Sequence, residues 1–181
     1  MAITSLDGLI AAPTQKLTYL KTATRTTIAA TPYSVFDLGG NPAAGTLAIG
    51  NTTTGVVPTN AVNGYPKISA FVGGNTGYLA GVHFGSSVAS RITIMDCLFS
   101  VGAIAFTSAT TTLSSQPSYA SRVLGGTDFT NTEIWLEAVT AFTGNLSIAV
   151  TYTNQAGVAG RTTGTFATGV APTIGRMILL P

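Results

Sequence analysis

The sequence predicts an all-β protein, folded as an antiparallel β-sandwich. Apolar and polar residues alternate over many short stretches, and turn residues separate them roughly every 8–12 positions. No stretch longer than two turns has a convincing helical pattern. The 181 residues fit one domain that is large enough to bury a core. We favour a jelly-roll arrangement, although alternation does not define the order of the strands.

The N-terminal residues are predicted to form an arm or short helix that precedes the sandwich. The arm covers 1–13, and a single β-sandwich domain covers 14–181. Ser5 or Asp7 would cap the helix, and Pro13 would end it, with a frayed tail as the alternative. The apolar arm residues that are candidates for partner contacts are Leu6, Leu9 and Ile10.

Short strands and a long loop are predicted in the first half of the chain. The predicted strands are 16–21, 26–38 (broken at Pro32), 46–49 and 68–72. The sequence Gly39-Gly40-Asn41-Pro42 is typical of a turn, and Gly73-Gly74-Asn75 of a hairpin turn. Residues 50–66 are rich in glycine, proline and asparagine, which indicates a loop with little regular structure.

The second half is more regular. Its predicted strands are 78–84, 91–99, 133–139, 146–153, 161–167 and 174–180. Strand 91–99 is apolar on both faces, which predicts a central strand covered on both sides. Residues 143–145 are expected to join 133–139 to 146–153 as a hairpin. Strand 146–153 alternates best, and its predicted inward-facing residues are Leu146, Ile148, Val150 and Tyr152.

The surface is expected to be polar but almost uncharged. Charged residues make up 8% of the chain, against about 25% in an ordinary soluble domain. The mean hydropathy is +0.42. Threonine, about one residue in six, fills many polar positions and suits a pleated surface. Because neutral hydroxyls cost less to desolvate than ions, this composition is typical of a protein that packs against neighbours.

Several protein classes are disfavoured by charge and hydropathy. A membrane-spanning helix needs about 20 consecutive apolar residues, and the most apolar stretch, 92–106, is interrupted by Asp96. The eight basic residues are scattered, so we expect no nucleic-acid partner. No basic region precedes the first apolar residues, so we expect no secretion signal and synthesis in the cytoplasm.

Catalytic and metal-binding groups are sparse. His83 and Cys97 are the only residues of their types, too few for a zinc site. We expect His83 to be a hydrogen-bonded or surface residue and Cys97 to be a buried, inert thiol. Asp96 interrupts an apolar face and is expected to form a structural ion pair with Arg91 or Arg122. We therefore expect no catalytic, cofactor-binding or metal-binding residues and no enzymatic activity.

Two aromatic residues are further candidates for partner contacts. Trp135 lies between Glu133 and Glu137 on the predicted outer face of its strand, where it would contact a partner or a sugar. The two glutamates are about 13 Å apart along a strand, too far for a glycosidase pair. Tyr65 lies at the end of the long loop. For both aromatic residues, packing in the core or between subunits is favoured over a sugar-binding site.

Four parts of the chain resemble small virion proteins of tailed phages. These are the opening Met-Ala-Ile-Thr-Ser-Leu-Asp-Gly-Leu-Ile-Ala-Ala and the segments 26–63, 91–106 and 127–153. The chain resembles capsid cement (decoration) proteins of the jelly-roll type. This resemblance implies a dimer or trimer that binds the outside of the head and bridges neighbouring major capsid subunits. It transfers no particular binding residues.

The predicted function is therefore that of a non-enzymatic cement protein on the exterior of the capsid. Its partners would be the major capsid protein and further copies of itself, with no membrane contact. The alternative is a tail or head-fibre component that binds host-surface glycans through Trp135 and tyrosines near loops. A β-sandwich hydrolase is the least favoured hypothesis, because acids and histidines are not clustered.

Overall fold

The computed structural model describes residues 5–11, 15–50, 54–69, 77, 79, 81–102, 104–106, 110–123, 125–168 and 172–181. The protein is nearly all β, as predicted, with very little helix. The strands are β1 Leu20–Lys21, β2 Gly40–Asn41, β3 Trp135–Glu137, β4 Ser147–Ile148, β5 Thr151–Tyr152, β6 Arg161–Thr162, β7 Phe166–Ala167 and β8 Met177–Leu179. All described pairings are antiparallel and two-stranded. The jelly roll stays a prediction.

A six-residue helix, α1 Leu6–Ala11, lies in the predicted arm. The hydroxyl of Ser5 accepts a hydrogen bond from the backbone N–H of Gly8 at 3.1 Å, as in an N-terminal cap. This contact confirms Ser5 as the capping residue. Pro13 lies outside the described residues, and the boundary between arm and domain stays a prediction.

The C-terminal strand is central in the part of the molecule that is best buried. On one side β3 and β8 pair, with Leu136 opposite Ile178. On the other side, the N–H of Met177 donates to Pro32 O at 3.0 Å, and Tyr33 bridges Arg176. The buried apolar residues of the core are Ala138, Ile148, Ile178 and Leu180. Of the predicted strand 26–38, only this bridge at Tyr33 is present.

The predicted hairpin between 133–139 and 146–153 is wrong. β3 pairs with the C-terminal β8, while β4 pairs with β7 and β5 with β6. Alternation along a strand shows which residues share a face, but it carries no information on which strand lies alongside. The turn of the actual hairpin is at Asn154, whose N–H donates to Val158 O at 3.0 Å.

We call residues 146–168 the C-terminal hairpin. Its register shifts by one residue between the pairs Ile148↔Phe166 and Thr151↔Thr162, so three residues oppose two in a β-bulge. Gly164 lies in this bulge with φ +74°, which favours glycine. As predicted, Leu146, Ile148 and Val150 are more buried than their outward neighbours, whereas Tyr152 is 38% exposed.

Two buried threonines complete the hydrogen bonding of the hairpin. Thr168 Oγ1 accepts the N–H of Leu146 at 3.0 Å, and Thr163 Oγ1 accepts the N–H of Val150 at 3.1 Å. The backbone N–H groups of the same threonines donate to Leu146 O and Val150 O in return. The hydroxyl of Thr163 therefore satisfies a backbone donor within the bulge, and that of Thr168 satisfies one at the end of the β4–β7 ladder.

Several other predicted elements differ from the structure. Strand 16–21 is reduced to β1, residues 46–49 form no strand, and Gly40, predicted in a turn, pairs with Lys21. A Cβ at Gly40 would lie 2.0 Å from Leu20 O, so this pairing requires glycine. The described parts of 68–72 and 78–84 contain no strand, and their remaining residues lie outside the described ones.

The prediction of a covered central strand at 91–99 is also wrong. No strand forms there, and residues 91–96 are all exposed. Only the following residue, Ser100, makes a bridge, to Val56 in the predicted loop 50–66. The described part of this chain supplies no cover for either apolar face of 91–96.

Candidate partner-binding surface

Among the described residues, the longest continuous exposed stretch is 81–96, which we call the exposed segment. Every residue in it is exposed. It contains six large apolar side chains that are at least 47% exposed: Val82, Phe84, Val88, Ile92, Ile94 and Met95. Such residues are usually buried, and large exposed apolar patches are typical of interaction surfaces, which makes this segment a candidate.

Local hydrogen bonds shape only the middle of the exposed segment. Ser90 Oγ donates to Val88 O at 3.1 Å, and the hydroxyls of Ser86 and Ser90 lie 3.3 Å apart. Within the described residues, no backbone–backbone hydrogen bond joins 81–96 to the rest of the chain. The apolar side chains are therefore presented without a sheet to hold them.

The exposed segment ends at a packed region, which we call the anchored base. It is formed by Asp96, Arg122, Phe99 and Gly55. Asp96 accepts a hydrogen bond from Arg122 at 2.6 Å, and the same guanidinium donates to Pro58 O at 2.6 Å. The predicted pairing of Asp96 with Arg122 is thus present, although Asp96 is 63% exposed rather than buried. The ring of Phe99 packs over Gly55, where a Cβ would lie 2.2 Å from the ring.

An aromatic cluster strengthens this base. The ring of Tyr119 lies 5.8 Å from that of Phe99 and 5.7 Å from that of Phe129, the latter edge to face. The N–H of Gly55 donates to Gln116 Oε1 at 2.7 Å. The exposed segment thus leaves a packed region at a defined place, which orients it relative to the rest of the protein.

The thiol of Cys97, which lies next to the anchored base, is not an activated nucleophile. Cys97 is half-buried, and its thiol donates to Phe99 O at 3.6 Å. Burial raises the pKa of Cys97, so the thiol is protonated near neutral pH. Burial likewise raises the pKa of Tyr65. His83 lies in the exposed segment, and the described residues contain no group of three metal-binding side chains.

The predicted contact residues have different environments. Leu6 is 71% exposed, while the side chains of Leu9 and Ile10 lie outside the described ones. Tyr65 is half-buried, and its ring lies 4.5 Å from that of Phe36. Trp135 is half-buried, and its Nε1 donates to Glu133 at 2.8 Å. Tyr65 and Trp135 thus contact different neighbours.

A buried charged cluster links the N-terminal half to the central strands. Arg25 donates to Asp37 and to Ile174 O, and its guanidinium packs against Gly175. Glu137, predicted on an outer face, is instead largely buried here, and one of its carboxyl oxygens has no hydrogen-bond partner. Burial raises the pKa of Glu137, with a smaller contribution from Asp37. The sequence did not reveal this cluster, because its members lie far apart along the chain.

A groove of about 410 Å³ lies away from that cluster. Its lining residues are Lys16, Leu17, Thr18, Asn41, Pro42, Ala43, Asn63, Gly64, Pro66 and Lys67. The charged residues of its described lining are Lys16 and Lys67.

Comparisons with known families, curated proteins and solved structures gave no match. Within the described part of the chain, no helix has the length and hydropathy needed to cross a bilayer. The site therefore has to be interpreted from its own geometry, and the most distinctive feature of that geometry is the exposed apolar surface.

Proposed function

We propose that this chain is a virion structural protein, a cement protein that binds the outside of a phage head and stabilises contacts between major capsid subunits. The observation that carries the proposal is the uncovered apolar surface of residues 81–96 in a chain with only 8% charged residues. Burying such a surface is favourable by roughly 25 cal/mol per Å² and requires few charges to be desolvated.

A cement protein acts by mass action. A molecule that binds only the assembled shell lowers the free energy of that state, and many identical contacts add together. The anchored base at Asp96 and Arg122 supports this role, because it holds one end of the exposed segment in place before binding. The helix α1, with Leu6 exposed, provides a second apolar contact.

The test is occupancy on expanded heads. We expect wild-type protein to bind in hundreds of copies per head and to raise the temperature at which heads break. Ile94→Asp, at a 60% exposed position, should lower occupancy without unfolding the protein, whereas Ile28→Asp, at a 48% exposed position outside the segment, should not. A dozen or fewer copies per particle, or equal occupancy of both variants, would contradict the proposal.

A further inference from the structure

One asparagine of the chain, Asn63, is followed by glycine, and every other asparagine precedes a residue that has a side chain. Asparagine amides are among the thermally labile groups of proteins. The backbone nitrogen of the next residue can attack the side-chain carbonyl, and a glycine offers the least obstruction because it has no side chain. The pair Asn63-Gly64 is therefore the place in the sequence where this reaction meets the least hindrance.

The fold leaves both reacting groups of this pair free. Asn63 and Gly64 lie in a turn near the end of the loop 50–66, and the side chain of Asn63 is exposed to solvent. Among the described residues, neither the amide of the Asn63 side chain nor the backbone N–H of Gly64 makes a hydrogen bond. The nitrogen that would attack and the carbonyl carbon that would be attacked are thus adjacent, and no hydrogen bond has to break before they meet.

Asn60, in the same loop, has the opposite environment. Its Nδ2 donates to Ile68 O at 2.6 Å, and its Oδ1 accepts the N–H of Ile68 at 3.3 Å. The amide of Asn60 is therefore held in two hydrogen bonds, and the methyl group of Ala61 lies beside the nitrogen that would attack it. Because Asn60 is also exposed, exposure alone does not distinguish the two asparagines, and Asn60 serves as an internal control.

We propose that Asn63 is a site of spontaneous deamidation. The Gly64 nitrogen attacks Cγ of Asn63, the new N–C bond closes a succinimide ring, and the bond from Cγ to Nδ2 breaks. The proton that leaves the Gly64 nitrogen ends on the departing group, which is released as ammonia. Water then opens the ring at one of its two carbonyl carbons and leaves aspartate or isoaspartate at position 63. The reaction needs no reagent besides water, and hydroxide accelerates it by removing the proton from the nitrogen.

The surroundings favour the reaction and determine its effect. Asn63 and Gly64 line the groove whose described charged residues are Lys16 and Lys67, and positive charge there favours the negative charge that develops during attack. The product places a carboxylate in this groove and lowers the formal net charge of the chain from +2 to +1. Isoaspartate also adds one carbon to the main chain next to Gly64, where even a Cβ would lie 2.7 Å from Gly45 Cα.

The test follows the folded, full-length chain during incubation at mildly alkaline pH. Samples are digested in acid, where the reaction is slow, and the peptides are separated and identified by mass spectrometry. We expect aspartate and isoaspartate to form at position 63 at least about tenfold faster than at Asn60, whose amide must first leave two hydrogen bonds. Equal rates at the two positions, or the absence of isoaspartate at position 63, would overturn the inference.

Two variants provide a second measurement by isoelectric focusing. Asn63→Asp should focus from the start with the acidic form that wild-type protein develops during incubation. Asn63→Gln keeps an amide but would have to close a larger ring, so it should develop that form at least about tenfold more slowly. An Asn63→Gln variant that becomes acidic as fast as the wild type would also overturn the inference. None of these results depends on binding to heads, so they leave the proposed function to its own test.

Discussion

Replacing Thr168 with valine tests whether buried threonine hydroxyls hold the C-terminal hairpin together. Thr168 is 2% exposed, and its Oγ1 accepts the N–H of Leu146 at 3.0 Å. Valine keeps the shape and volume of threonine but cannot accept that hydrogen bond. The N–H of Leu146 would then lose its side-chain partner in a partly buried position.

The expected loss follows from that unsatisfied donor. Leaving a buried donor without a partner costs about 1–3 kcal/mol, so the free energy of unfolding of Thr168→Val should fall by about that amount. For a domain of this size each kcal/mol lowers Tm by roughly 2–4 °C. Urea denaturation followed by circular dichroism measures the change, provided that the slope with denaturant stays constant.

Thr151→Val is the matched control for this measurement. Thr151 lies in the same hairpin but is exposed, so its substitution should change the free energy of unfolding by about 0.5 kcal/mol or less. If Thr168→Val were as stable as Thr151→Val, the hydroxyl of Thr168 would have no structural role, and our account of the threonine-rich composition would be refuted.

Three further outcomes are expected. Gly175→Ala should lower the free energy of unfolding more than Gly157→Ala does. The two glycines have nearly the same φ, +77° and +76°, but only at Gly175 would the new Cβ collide with Arg25. Equal losses would contradict this packing. Because the pKa of Glu137 is raised in the folded protein, this group should contribute stability that is fully present below its ordinary pKa of 4.5 and is lost as pH rises through the folded pKa. Glu137→Gln should flatten that part of the curve of unfolding free energy against pH. An unchanged curve would refute the assignment. Head binding should weaken only slightly between about 50 and 500 mM salt, a range over which exposed ion pairs are strongly screened, and a steep decline would show that charges dominate the contact.

The buried threonines give the composition of the chain a structural meaning. In the C-terminal hairpin, Thr163 and Thr168 hydrogen-bond to the backbone of the opposite strand and introduce no charge. A chain with few ions can therefore satisfy its buried polar groups and still present a neutral surface to its neighbours. The same residue type that stabilises the hairpin would suit the assembly that we propose.

The sequence by itself determined the all-β class and the inward positions of Leu146, Ile148 and Val150, and it limited the cap of helix α1 to Ser5 or Asp7. Each of these depends on residues close together in the chain, through a period of two or a contact three residues away. Only the tertiary structure decided that β3 pairs with β8, that Arg25 pairs with Asp37, and that the described part of the chain leaves residues 91–96 uncovered. Those outcomes depend on contacts between distant parts of the chain, because an apolar face shows that a strand needs cover but not which surface supplies it.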